Sequence, residues 1–86
     1  MNETKNINLI ELAQKMKEDA IQHARWMNDQ YAEGDVERNH TNYGTMTQAL
    51  RVLNLLGHEA SNATWGQANL LICESITIDG EVVYRR

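Results

Sequence analysis

The sequence contains no proline, one cysteine and five glycines among its 86 residues. Each shortage excludes something. With no proline, no low-complexity run, 42% apolar and 23% charged residues, the chain has the composition of neither a linker nor a disordered segment. A lone Cys73 cannot close an internal disulfide, and the scattered glycines form no phosphate-cradling loop. Long apolar runs are missing too: stretches such as Leu70 to Cys73 extend for four residues, against the roughly twenty needed to cross a bilayer. No membrane partner is expected. Basic charge is short as well. Eight Lys and Arg against twelve Asp and Glu leave −4 with no basic tail, so nucleic acid is not an expected partner. The first twenty residues lack the continuous apolar core of a secretory signal, which makes the cytoplasm the expected location. A chain of this length fills one domain, 1–86.

What is present is helical periodicity. Leu9, Leu12, Ala13, Met16, Ala20, Ala24, Met27 and Tyr31 recur at three- and four-residue spacing, the stripe of one long helix predicted over 7–33. Asn8 followed by Glu11 has capping-box spacing, and Gly34 is placed to end the helix in the left-handed region. Some 26 residues span roughly 39 Å, so a second element must lie alongside. Asp35 is a fitting N-cap for a helix over 36–56, whose stripe runs through Val36, His40, Tyr43, Thr47, Leu50 and Leu53. Gly44 and the capping pattern Thr45-Met46-Thr47-Gln48 offer a competing start near Met46; the compact Gly34-Asp35 link favours the longer helix.

Near the end of that helix Leu50, Val52, Leu53, Leu55 and Leu56 fall at roughly 0, 200, 300, 140 and 240° around the axis. They surround it. A helix with one neighbour needs one apolar stripe, so an apolar circumference requires further cover, part of it from the C-terminal segment and part from another subunit. These five residues are the expected oligomer interface, and self-association is expected.

Residues 57–69 read as a connector, with Thr64-Trp65-Gly66-Gln67 unassigned. Beyond it, the β-branched runs 70–78 and 81–84 flank Asp79-Gly80, the signal of a β-hairpin over 70–85 with a type I′ turn. That turn sets Ile76 opposite Val83 and Ile78 opposite Glu81, an imperfect alternation that leaves the register open. The expected fold class is α+β: a long antiparallel helical hairpin, then a short C-terminal β-hairpin.

The chemistry is sparse. His58-Glu59 opens like a zinc protease motif, but Asn62 occupies the position of the second ligand. Asp19, His23 and Met27 share a helix face without making a zinc donor set. Cys73, Ser61 and Ser75 are possible nucleophiles and His23, His40 and His58 possible bases, yet no spacing selects a triad. Cys73, within an apolar run, reads as an inert buried thiol. No metal, no cofactor and no catalytic residue is expected, and the chain is not expected to be an enzyme. Asp29, Glu33, Asp35 and Glu37 form an acidic turn, too small for extended nucleic-acid mimicry.

One polar constellation stands out. If the chain folds back at Gly34-Asp35, Arg25, Trp26 and Tyr31 on one arm face Arg38, Asn39, His40, Asn42, Tyr43 and Arg51 on the other, and Arg25, Trp26, Arg38, His40, Asn42 and Tyr43 are singled out among them. Planar guanidinium donors, aromatic rings and amides are equipment for a nucleotide or another small anion. These six are the candidate ligand-binding residues; the plainer alternative makes Trp26 and Tyr43 core-edge residues and pairs Arg38 with Asp35 or Glu37.

The leading functional expectation is therefore a small non-enzymatic, homo-oligomeric interaction protein that binds and occupies a partner macromolecule as inhibitor or adaptor. The alternative is a protein that sequesters a nucleotide or small anion. In general build, a small acidic helical hairpin with a short sheet, the chain is similar to many short accessory proteins of phages and mobile elements. That likeness carries no shared motif.

Overall fold

The computed structural model describes residues 8–86, arranged as two helices followed by a three-stranded antiparallel sheet. Helix α1 spans Leu9–Glu33. Its first free N–H groups are met by Asn8, whose Oδ1 accepts from Ile10 N (2.9 Å) and Glu11 N (3.2 Å). Ile7, where the periodicity opens the helix, lies outside the described residues. Gly34 ends α1 at φ 75°, and Asp35 N–H closes the turn onto Gln30 O at 3.0 Å.

Helix α2, Val36–Leu55, begins at once, with Asp35 Oδ1 accepting from Arg38 N at 3.2 Å. It runs unbroken through Gly44, so the longer helix is the one that forms. The two-residue link forces the helices antiparallel. Ala20 and Ala24 keep α1 thin where Met46 and Ala49 of α2 approach, and Met27, Leu50 and Leu53 complete the helical part of the core.

Strand β1 (Ala60–Gln67) pairs with β2 (Leu70–Ile78), which pairs with β3 (Glu81–Arg85), in the order β1-β2-β3. The expected hairpin over 70–85 is present, but 57–69 is not a mere connector: most of it is β1. Its own residues, ASNATWGQ, carry little β preference. Pairing to β2 makes it a strand. The turn that joins them, Ala68-Asn69, puts two non-glycine residues at φ 56° and 69° and so lacks the glycine that marks Asp79-Gly80 (φ 52° and 84°).

The register differs from the expected one in one respect. Ile78 faces Glu81, but Ile76 faces Tyr84 rather than Val83, because Thr77 faces Val82 and Val83 is an extra residue in β3. A second irregularity falls at Glu74, since Ala63 pairs with Ser75 and Thr64 with Cys73. These shifts keep Cys73, Ile76 and Ile78 together in the core beneath the helices.

The C-terminal segment supplies part of the cover for α2, as the sequence reading expects, and it covers Leu50 and Leu53. Leu50 and Leu53 are buried within the chain, Val52 and Leu56 are half-buried, and Leu55 remains 80% exposed. Leu50 and Leu53 thus move from the expected interface to the core, because β1 and β2 pack where a partner was expected.

Candidate functional site

Three asparagines fasten the helices to the sheet, each by the same device. Asn39, fully buried on α2, donates through Nδ2 to Leu71 O (2.9 Å) and Met27 O (2.7 Å), and Leu71 N donates to its Oδ1 (2.8 Å). Asn28 on α1 takes Cys73 in the same way, donating to Cys73 O and accepting from Cys73 N, both at 2.9 Å; its Nδ2 also reaches the Tyr84 hydroxyl at 2.8 Å. Asn54 near the end of α2 accepts from Ala60 N and donates to Ala60 O, again at 2.9 Å. A carboxamide offers one donor and one acceptor at the spacing of a strand residue, so each side chain stands in for a missing neighbouring strand.

These bonds reveal which way the backbone points. In an antiparallel pair, successive residues turn their N–H and C=O groups alternately toward and away from the partner. Asn54 shows that Ala60 points away from β2. Asn62, Thr64 and Gly66 then point the same way. The pairing agrees from the other side: Leu71 and Cys73, turned toward Asn39 and Asn28, lie opposite Gly66 and Thr64. Beyond Ala60, no group of the described residues bonds these outward amides.

The edge of β1 is therefore bare, and its eight residues include no charge and no proline. Such an edge is a template for another strand unless charge, proline or cover blunts it. The opposite edge is blunted: β3 has five residues, opens on Glu81 and ends on Arg85, with Arg86 following.

Helix α2 crosses the sheet obliquely: its Asn39 reaches Leu71 on the side of β2 turned away from β1, and its Asn54 end comes to the outer edge of β1 at Ala60. Its His40 Nε2 donates to Asn69 O at 2.6 Å beyond one end of β1, and its Asn54 holds Ala60 at the other. A groove of about 380 Å³ runs between them, lined by Thr47, Arg51 and Leu55 of α2 and by Ala60, Ser61 and Asn62 of β1. Val36, His40, Gly44, Thr47, Arg51 and Leu55 succeed one another at three- and four-residue spacing, which makes them one face of the helix. Only Arg51 on it is formally charged.

The six candidate ligand-binding residues do not assemble. His40 turns to the β1–β2 turn, whereas Asn42 turns to α1 and donates to Gln30 Oε1 at 2.5 Å. Two residues apart on a helix, they diverge by about 200°. Arg38 pairs with Asp35 at 3.6 Å, Tyr43 packs against the core, and Arg25 is exposed on α1. Trp26, 44% exposed, meets the edge of His23 with ring centroids 5.1 Å apart. Fold-back at Gly34 sets the two arms side by side, but the sheet claims one flank of α2 and α1 the other.

The remaining chemistry is local. His58 Nδ1 donates to Asp79 Oδ2 (2.8 Å) and Glu59 N donates to Asp79 Oδ1 (2.8 Å). The His58 hydrogen bond, with the Glu59 amide behind it, holds the Asp79 carboxyl below its ordinary range. This pair sits at the rim of a second groove of about 380 Å³, where Leu9 and Ile10 of α1 overhang Leu56, Ile78 and Val83. Among the described residues no Ser, Thr or Cys lines that groove. Burial pushes the Cys73 thiol up. His23 donates to Asp19 O while Met27 lies in the core. Among the described residues no group of three or more His, Cys, Asp or Glu is placed to hold a metal, and no helix is long and apolar enough to cross a membrane.

Sequence reasoning passed over both the asparagine clamps and the open edge. Asn39 carries the readable signal: it stands in register with Met46, Leu50 and Leu53 on the core face of α2, and an amide at an apolar position marks a buried polar contact. Taken together, fold and site define a small α+β protein with helices on a three-stranded sheet and one uncapped strand edge. Comparison of the chain with protein families, with curated proteins and with solved structures finds no match.

Proposed function

We propose that the chain is a small non-enzymatic interaction protein that binds and occupies a partner macromolecule, as inhibitor or adaptor, and that it meets other polypeptides, copies of itself included, along β1. The observation that carries this reading is the bare, uncharged β1 edge, with Leu55 exposed beside its Ala60 end. Backbone amides supply the affinity in strand addition, and side-chain pockets beside the edge supply selection. Leu55 and the groove next to it are such a pocket. The dispersal of the polar constellation removes the motive for a nucleotide site.

The test is complex formation by the full chain and by a Thr64→Lys variant, each immobilised. Proteins retained by the first and lost by the second are purified and remixed with it. A complex of defined stoichiometry that the variant does not form is the expected result. Equal retention by both, or turnover of a substrate by the chain alone, would contradict the reading.

A further inference from the structure

The outward amides of β1 form a self-complementary set. Asn62, Thr64 and Gly66 are evenly spaced with Thr64 at the centre, so a two-fold axis through Thr64 sets Asn62 against Gly66 of a second copy and Thr64 against its own equivalent. Each facing pair exchanges two N–H···O=C bonds. Six backbone hydrogen bonds result, and the two sheets become one of six strands. With no charge on β1, the pairing brings no like charges opposite one another.

Exposed apolar surface lies beside the same pairing. The axis that sets Asn62 against Gly66 carries the partner's Ala68-Asn69 turn, which follows its Gly66, alongside the Ala60 end of the edge. Leu55, 80% exposed, lines the groove there with Ala60 and Asn62 and so comes beside that turn. The charged β3 edge ends the sheet on both sides, so the assembly closes at two copies.

From this we infer that the partner of the β1 edge is a second copy of the same chain, joined by antiparallel β1–β1 pairing about Thr64 in a closed dimer. The inference rests on the reading of β1 as the interaction edge and names its occupant.

Light scattering on the purified full chain over micromolar concentrations tests it, with three variants. The expected mass is twice that of one chain. Thr64→Lys, which sets two ammonium groups face to face on the axis, and Leu55→Lys, at a position exposed in the single chain, each raise the dimer dissociation constant at least tenfold. Val82→Lys on the β3 edge leaves it unchanged. Circular dichroism of Leu55→Lys establishes that the fold is intact. A wild-type monomer overturns the inference, while a foreign complex lost in Thr64→Lys would leave the edge reading standing. A dimer broken by Val82→Lys and not by Thr64→Lys overturns both, and open-ended polymers overturn the closed dimer.

Discussion

The carboxamide of Asn39 holds both backbone groups of Leu71, accepting from its N–H at 2.8 Å and donating to its carbonyl at 2.9 Å. One side chain thereby joins α2 to the sheet, and its third bond, to Met27 O, ties in α1. Asn39 has no exposed surface, and its bond to Met27 O is buried, so that carbonyl loses its side-chain partner inside the protein when the amide is removed.

Replacing Asn39 by Ala leaves buried donors and acceptors unpaired. The expected loss is about 3 kcal/mol, or roughly 12–24 °C in melting temperature for a domain of this size. Asn39→Asp is no rescue, because a carboxylate cannot donate to the two carbonyls. Thermal denaturation followed by circular dichroism reads the effect; a shift under about 4 °C would contradict the role given to this residue.

Two glycines should respond in opposite directions. At Gly34, where φ is 75°, alanine strains the link between helices and lowers stability by about 1 kcal/mol. At Gly44 the backbone is helical and the space open, so alanine raises the stability of the single chain by about 1 kcal/mol. Thermal melts of the two variants at low protein concentration give both signs.

Acid stability carries the mark of Asp79. Its folded-state pKa is depressed, so its contribution is present above the unfolded carboxyl value and is lost as pH falls through the folded one. Asp79→Asn keeps a residue suited to a type I′ turn while removing the charge. The variant should flatten the dependence of stability on pH below about 4, the unperturbed aspartate range. A wild-type pH profile in the variant would exclude Asp79 as the source.

Cys73 should resist alkylation. The side chain is buried and its pKa raised, so little thiolate is present and none is accessible. Native protein treated with iodoacetamide should react at the rate of core opening, and denatured protein at once. Rapid modification without loss of structure would contradict the assigned core.

The helices are legible in the sequence because their stripes repeat over many turns and their ends carry Asn8, Gly34 and Asp35. The second hairpin is legible through Asp79-Gly80. Strand β1 is not, since Ala60 to Gln67 lacks both alternation and apolar mass, and Ala68-Asn69 lacks the glycine that announces a turn. That omission has consequences along α2: without β1, the apolar residues around the helix seem to want a partner on every side, and Leu50 and Leu53 are assigned to an interface that the sheet already fills. Arg38, His40 and Asn42 look like one patch only while nothing separates the two flanks of the helix. What a linear pattern cannot convey is the direction of backbone amides, and that direction defines the open edge.

Amide hydrogen exchange at Asn62, Thr64 and Gly66 tests the central claim most directly. Measured on the full chain at concentrations well above and well below the dimer dissociation constant, these three amides should be protected at high concentration and should exchange freely at low concentration, while Leu71 and Cys73, held by Asn39 and Asn28, stay protected throughout. Fast exchange of all three at every concentration would contradict it.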